Sequence, residues 1–442
     1  MAEREDPFCG TARARQTTRD SPCGFRRRSD RGGTEVKIAV FHNLPSGGAK
    51  RALYNFVKYL KNVGNQVDVH VPSTADENYL PLKGIVDGFH VYPVRRTALG
   101  LIMSSVRYVL PPFQSLADLK WTQERMAEAI NAGPYDVVFS EQDQFTMTPF
   151  VLRYLKKPTV YYCPQPFNAQ GAVFQDASQS VLRIAPLPVW KKAWRAHLRR
   201  NILKIDRENA SHAKYILANS YFSRETILRA YGLNSYVSYL GIDTELFRPI
   251  SSQKENFVLS VGMCHPHKGY DFTIRSLSLI DEQRRPKMVI VSNSTKKAWE
   301  AHLVRMAAGL RVDLEVKTSI PDSELVCLYN RARLFVYAAI LEPFGLAPLE
   351  AMACGTPVVA IKEGGVRETV VHNETGILTP RDEGAFAEAT TDLLENDEQR
   401  ERMGCRGVEV VRSFWTVRHA GERLEAHLRQ AVARSKQDSR RV

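Results

Sequence analysis

Two doubly wound α/β domains, each on a parallel sheet, are what this sequence predicts, and three observations carry the prediction. The first is length: 442 residues exceed one compact core and fit two of moderate size. The second is a strand, glycine turn, helix, strand succession beginning at Val36. The third is a second such succession beginning near Asn256. Alternation of this kind is the pattern of parallel sheets with helical crossovers.

In the first series, VKIAVFHNL is a short β-rich run that leads into Pro45-Ser46-Gly47-Gly48-Ala49. A helical stretch ending at Gly64 follows, then the strand QVDVHV. YDVVFS (Tyr135–Ser140), PTVYYC (Pro158–Cys163) and YILANS (Tyr215–Ser220) are further strands. Helices are predicted over Val189–Asn209 and over SRETILRAYG, which stops at Gly232. In the second series, FVLSVGM, KMVIVSN, VDLEVKT, the end of LYNRARLFVYAA and TPVVAIK are strands. DFTIRSLSLI, the segment up to Cys354, Asp382–Asn396 and Val417–Arg434 are helical. Pro249 and Ser251-Ser252 punctuate a linker. The expected organisation is a disordered basic tail over 1–35, an acceptor-side domain over 36–248, a donor-side domain over 249–412, and a terminal helix over 413–442 that packs back on the first domain.

Composition narrows the function. Hydrophobic residues at 44% and charged residues at 25% are ordinary for a chain that buries real cores. Seven scattered cysteines, with no C-x-x-C pair, argue against a disulfide framework or a zinc site and fit a reducing cytosol. No run reaches the roughly 18–20 apolar residues of a membrane span; the nearest, Ala98–Leu110, is broken by Ser104, Ser105 and Arg107. The net charge of +13 points to an anionic partner. The excess lies toward the N-terminus, with 22 Lys/Arg against 13 Asp/Glu from Val36 to Glu208 and 15 against 14 from Lys254 to Glu374. Trp190, Trp194, Leu198 and Ile202 recur at four-residue spacing among Lys191, Lys192, Arg195, Arg199 and Arg200. Such a helix either lies on an anionic membrane surface or packs its stripe on its own domain. Peripheral attachment to the inner face of a membrane from the cytoplasm is therefore an expectation; nucleic acid is not an expected partner.

The segment with the sharpest chemistry is Glu342-Pro-Phe-Gly-Leu-Ala-Pro-Leu-Glu350. A carboxylate at each end of a strand-to-helix turn suits vicinal sugar hydroxyls, which give charge-assisted hydrogen bonds. Gly345 admits close backbone approach, and a helix start offers free N–H groups to phosphate. Two glutamates eight apart also fit a helix-end carboxylate beside a core helix, so the neighbours decide. The segment resembles the E-x7-E motif of retaining glycosyltransferases of family four, which have the GT-B fold of two Rossmann-like domains facing a central cleft. Other stretches resemble the same family in order: Gly47-Gly48, Tyr215–Ser223, Gly241–Pro249, Val261-Gly262 with Lys268-Gly269, Gly364-Gly365 through Glu368, Asn373–Gly376 and Phe414-Trp415.

The resemblance implies a nucleotide-sugar donor, a glycan or lipid-linked acceptor, no cofactor and no essential metal. It implies that Glu350 holds the ribose hydroxyls, that Glu342 lies beside the donor sugar, and that Gly345 and Leu346 offer N–H groups. Lys268 would neutralise the diphosphate, and Gly47 and Gly48 would let a loop approach it. The chain departs from the family twice. Met263 stands where an arginine is common, leaving Arg51, Lys50, His265 or His267 to compensate. Glu141 stands where a histidine is common, followed by Gln142 and Asp143; Glu141 or Asp143 either polarises the acceptor hydroxyl or caps a turn. Two other readings stay open: a GT-B epimerase or phosphorylase, and a nucleotide- or polyanion-binding protein without catalysis.

Overall fold

The computed structural model describes residues 35–94, 116–166, 189–293 and 297–438. The expected tail over 1–35 (Glu35 apart) and the apolar run Ala98–Leu110 lie outside the described residues, as do the side chains of Trp190, Lys191, Lys192, Trp194, Arg195 and Leu198.

Among the described residues there are two sheets. The first has β1 (Lys37–Asn43), β2 (Gln66–Pro72), β3 (Gly88–Tyr92), β4 (Val137–Asp143), β5 (Thr159–Tyr162), β6 (Ile216–Ala218) and β7 (Tyr236–Val237), in the order β3-β2-β1-β4-β5-β6-β7. The second has β8 (Glu255–Val261), β9 (Lys287–Ser292), β10 (Leu314–Thr318), β11 (Ala332–Tyr337), β12 (Val358–Ile361) and β13 (Gly376–Thr379), in the order β10-β9-β8-β11-β12-β13. Every pairing is parallel. The central strands are apolar on both faces because helices cover both; Ile38, Ala39, Val40 and Phe41 are all buried. In each sheet the strand order reverses beside the first strand of its series, β1 or β8. That is where a doubly wound sheet leaves a crevice at the carboxyl ends of its strands.

Helix α1 (Gly48–Asn62) follows β1 and buries Leu53, Phe56, Val57 and Leu60, one face of a 3.6-residue period. Helices α2 (Leu116–Ala132), α3 (Val189–Ser211) and α4 (Tyr221–Tyr231) complete the first half. α4 starts on Ser220, whose Oγ accepts from Ser223 N at 2.9 Å, and stops on Gly232 at φ 73°. The second half carries α5 (Tyr270–Ser278), α6 (Lys297–Gly309), α7 (Asp322–Arg331), α8 (Leu346–Ala353), α9 (Val366–Thr369), α10 (Glu383–Glu395) and α11 (Asp397–Phe414), and α12 (Val417–Asp438) ends the described chain.

Helices α2, α6 and α11, and the single turn α9, form where the sequence pattern marks no element. In α2 the inward face is partly polar: Asp118, Thr122 and Gln123 are buried beside Leu119 and Met126, which blurs the apolar period. In α11 two glycines read as breakers. Instead they permit contact, because a Cβ on Gly404 would stand 2.4 Å from the Gly355 carbonyl oxygen and one on Gly407 would meet Met352 at 3.2 Å.

The chain crosses between the two sheets twice, and the crossings lie side by side. Ile242 N donates to Trp415 O at 2.6 Å, and Val417 N donates to Ile242 O at 3.0 Å. Tyr239, Phe344, Phe414 and Trp415 form a ring cluster there, with centroids 4.8–6.2 Å apart. Past the second crossing, α12 returns to the first sheet. Its Leu424, Leu428 and Ala431 are buried, and Gly421 lies so close to α1 that a Cβ would stand 2.1 Å from the Tyr59 ring. Gly421→Val should therefore lower stability by about 1–3 kcal/mol through overpacking, measured by thermal denaturation. Adding Tyr59→Ala should recover part of the loss; an unchanged transition in the single variant would refute the packing account.

Candidate functional site

The carboxyl ends of both sheets open on one cleft of about 490 Å³. From the first sheet come the turn after β1 (Pro45–Ala49), Arg51, the end of β4 (Glu141, Gln142) and the loop after β5. From the second come Gly262, Met263, His267, Lys268, Asn293, Ser319, Asp322 and the stretch Glu342–Ala347 with Glu350.

The segment between the two glutamates is shaped by backbone contacts. Gly365 N donates to Glu342 O at 2.7 Å. A Cβ on Gly364 would lie 2.3 Å from Glu342 O, and one on Gly365 would lie 2.1 Å from Pro343 O. The Gly364-Gly365 pair thus exists to let these chains touch. From the first half, Ser220 Oγ donates to Pro343 O at 2.6 Å. The Glu368 carboxylate accepts from Tyr221 N, Phe222 N and the Tyr239 hydroxyl at 2.8–2.9 Å. Gly345 takes φ 94° and starts α8, so the first turn leaves the N–H groups of Leu346 and Ala347, both in the cleft lining, without helical partners, while Pro348 has none. Gly47, at φ 142°, starts α1 opposite; the space beside Gly48 ends on Leu346 Cδ1, 3.4 Å from where a Cβ would be.

Lys268 and Glu342 meet. Ile340 N donates to His267 O at 2.9 Å, and Gly269 approaches Ala338 so closely that a Cβ would stand 2.2 Å from its carbonyl oxygen. Those contacts bring Lys268 Nζ to 2.7 Å from Glu342 Oε2. Burial pushes the Glu342 carboxyl up, but Lys268, then His267 and the Tyr337 hydroxyl, outweigh it and hold it below its ordinary value. Glu350 is 6% exposed and accepts from the Tyr329 hydroxyl at 2.8 Å. Burial raises its pKa against the pull of Arg51 and Tyr329. Arg51 itself reaches across the cleft to Asp322, with bonds of 2.6 and 3.0 Å.

Of the residues named to replace the missing arginine, Arg51 and His267 line the cleft beside Met263, which is 44% exposed. Lys50 does not line it. Its ammonium is buried against Glu77 and His42 below the Gly47-Gly48 turn. His265 is engaged with His267, Nδ1 to Nδ1 at 2.7 Å. Asp322, Tyr329 and Tyr79 are additions that the sequence reading missed. The one available signal was Pro321-Asp322-Ser-Glu324, an acidic first turn of a helix.

Glu141 and Asp143, adjacent in the sequence reading, part company. Asp143 is not in the cleft wall; it is fully buried and accepts from Asn43, Gln123, Phe145 N and Thr146 N at 2.7–3.2 Å. A carboxyl so enclosed organises the turn after β4. Glu141 does line the cleft, at 2% exposure, and its Oε2 has no hydrogen-bond partner. Burial pushes its pKa up to about 8, with only the Gln142 N–H opposing. Tyr161 is core, whereas Tyr162, Pro164 and Gln165 line the cleft.

Two family profiles match the chain, together over residues 46–409: Glycosyltransferase Family 4 over residues 46–246 and Glycosyl transferases group 1 over 242–409. The chain belongs to glycosyltransferase family four. A D-inositol 3-phosphate glycosyltransferase of Corynebacterium glutamicum (strain R) is 33% identical over 194 residues, 39% of this chain and 46% of that one. An alpha-1,3/1,6-mannosyltransferase alg-2 of Neurospora crassa is 32% identical over 202 residues, 39% of this chain and 43% of that one. This family-four chain thus spans about half the length of the curated relatives it matches. Among solved structures, Anabaena Alr3699/HepE in complex with UDP and glucose superimposes with a TM-score of 0.67 at 19% identity, covering 89% of this chain and 99% of that one. Sucrose-phosphate synthase from Thermosynechococcus elongatus gives 0.66 at 19%, covering 90% and 100%. The fold is GT-B.

The Glu141 environment fixes a pH dependence. An unfolded chain's carboxyl titrates near 4.5, whereas the folded one titrates near 8. Between those values the unfolded state gives up a proton that the folded state keeps. This group's contribution is therefore level below pH 4.5, falls as pH rises to 8, and is level again beyond. Glu141→Gln lacks that slope, so its stability relative to wild type should grow from pH 5 to 8 by roughly 3–4 kcal/mol at most. Thermal denaturation across this range reads it; a difference independent of pH would contradict the buried, unpartnered carboxyl.

Proposed function

We propose that this chain transfers a sugar from a nucleotide-sugar donor to a glycan, glycolipid or lipid-linked acceptor with retention of configuration. The observation that carries the reading is the arrangement about one loop. Glu342 and Glu350 stand at its two ends, Lys268 is on Glu342, and the open start of α8 lies between, all in the cleft. Membership of family four and the GT-B fold support it. The UDP and glucose held by the Anabaena structure are the kinds of molecule this cleft would accept.

In this reading Glu350 accepts the ribose hydroxyls and Glu342 accepts a hydroxyl of the donor sugar. The N–H groups at Gly345 and Leu346, with Lys268, face the diphosphate, and Gly47 and Gly48 close over it. The bond from the anomeric carbon to the diphosphate oxygen breaks as the acceptor oxygen bonds to that carbon on the same face. The acceptor proton passes to the departing diphosphate. Charge builds on the diphosphate as it leaves, and pre-aimed donors stabilise it there. Since Lys268 and the helix start supply that field, no cofactor or metal is proposed. Glu141, on the acceptor side, carries a proton below about pH 8 and acts there as a hydrogen-bond donor rather than a base.

A thermal-shift screen of UDP, GDP, ADP and dTDP and their sugars should give one stabilising base. With that donor, Glu350→Gln should weaken nucleotide binding about tenfold, the loss of one charged hydrogen bond. Lys268→Ala should cut kcat roughly 10²–10³-fold with a smaller change in donor KM, and wild-type turnover should persist in EDTA. Stabilisation by none of the nucleotides would overturn the reading.

No helix among the described residues is long and apolar enough to cross a membrane. Val189–Ser211 does form a helix, and its basic sequence is proposed to seat the chain on the anionic, cytoplasmic face of a membrane. Co-sedimentation with vesicles should depend on anionic lipid and fade with salt; no pelleting at low salt would remove this proposal.

A further inference from the structure

The start of α4 is held from the other half of the molecule. Its first turn has three N–H groups with no acceptor inside the helix, those of Tyr221, Phe222 and Ser223. Ser223 N donates to the helix's own cap, Ser220 Oγ. Tyr221 N and Phe222 N instead donate to the Glu368 carboxylate, one to each oxygen, at 2.8 and 2.9 Å. The Tyr239 hydroxyl donates to the same carboxylate at 2.9 Å. Glu368 lies on α9, three residues past Gly365, whose N–H donates to Glu342 O at 2.7 Å. Ser220 Oγ closes the circuit by donating to Pro343 O at 2.6 Å. The contacts form a ring: α4 to Glu368, Gly365 to Glu342, and Pro343 back to α4. Stability alone does not ask for it. Tyr221 is 58% exposed and Glu368 is partly exposed, so water can take the two N–H groups at little cost. What water cannot do is fix the distance from α4 to the loop that carries Glu342.

We propose that Glu368 is a positioning residue for sugar transfer: by clamping the start of α4 it sets where Glu342 stands, so that the acceptor-side half holds the donor-sugar end of the cleft in place. The proposal rests on the transferase reading above, in which Glu342 meets the donor sugar and Glu350 the ribose. Asn219, the residue before the cap, lines the cleft, and its Oδ1 accepts from Ser223 Oγ at 2.7 Å. The same helix start thus borders the cleft wall and the donor loop, and a shift in it is felt on both. A displacement of about 1 Å can cost a reaction on the order of 10²-fold. Freed from the ring, Glu342 loses its place against the sugar, while the nucleotide keeps Glu350 and the start of α8.

The test uses the full chain and titration calorimetry. The probes are UDP, GDP, ADP and dTDP, set beside UDP-glucose, UDP-N-acetylglucosamine, GDP-mannose, ADP-glucose and dTDP-glucose. For the sugar nucleotide that wild type binds, Glu368→Ala should weaken affinity about tenfold, and Glu368→Gln by less, because the amide oxygen still accepts one bond. Affinity for the matching nucleotide should stay within about threefold, which also shows that the variants fold. Ser220→Ala cuts the other attachment with Glu368 in place and should act in the same direction, whereas Ser220→Thr keeps a hydroxyl and should not. Should Glu368→Ala fail to fold, the two Ser220 variants carry the same comparison. Hydrogen exchange gives a second readout: in Glu368→Ala it should quicken in α4 and also at the Gly365 amide, the next link of the ring. Unchanged affinity for the sugar nucleotide, equal weakening of nucleotide and sugar nucleotide, or faster exchange confined to α4 would each overturn the proposal. Failure of wild type to bind any of the sugar nucleotides would instead strike the transferase reading, with the Gly365 amide still deciding this one.

Discussion

The contact on which the rest of the site depends is backbone against backbone: Gly364-Gly365 lying on Glu342-Pro343. With side chains at 364 and 365 that approach is impossible, and the turn between the two glutamates would have no floor. Once it is in place, three further bonds converge on the same few atoms. Gly365 N takes Glu342 O, Ser220 takes Pro343 O from the other half, and Lys268 takes the Glu342 carboxylate. A loop so held leaves little freedom to Gly345, whose left-handed backbone then aims the start of α8 into the cleft. Apart from Lys268, the neighbours that hold this loop, Gly364, Gly365 and Ser220, are not part of the cleft lining.

A second theme is how little charge in the cleft is uncommitted. Lys268 is on Glu342, and Arg51 is on Asp322. Each of these pairs spares its members an unpaired charge in a poorly solvated place, and each must give way to a polyanionic ligand. Arg51 couples the two halves in doing so, since it leaves α1 for the first turn of α7 and also bears on Glu350. The glutamates diverge for the same reason. Glu342, beside cations, is held low, whereas Glu141 and Glu350, buried with weaker help, are pushed up.

Much of this was legible in the sequence. Apolar runs such as Ile38–Phe41 and Val358–Ile361 could hardly be anything but buried parallel strands, and the glycines at 47, 48 and 345 marked places of close approach, whereas Gly364-Gly365 stood out only within a stretch resembling the family. What stayed hidden had physical causes. Helix α11 was masked by Gly404 and Gly407, which look like breakers until the facing chain is seen. Helix α2 was masked by the polar residues on its inward face, and one of them, Gln123, turns out to anchor Asp143. Asp143 and Glu141, two residues apart, would share a face in a regular strand, but β4 carries one extra residue against β1 between Ser140 and Asp143, and that irregularity leaves one in a polar nest and the other in the cleft wall. Local pattern shows that a residue is carboxylic and near a strand end; only the tertiary fold shows which side it faces.

The paired crossings at Ile242 and Trp415–Val417 have a mechanical consequence. A single connecting strand is a swivel, free to twist as well as bend. Two strands joined by hydrogen bonds act as a strap: rotation about the long axis would shear those bonds, while folding across the strap leaves them intact. Bending across the strap is therefore the relative motion of the two halves that keeps both bonds.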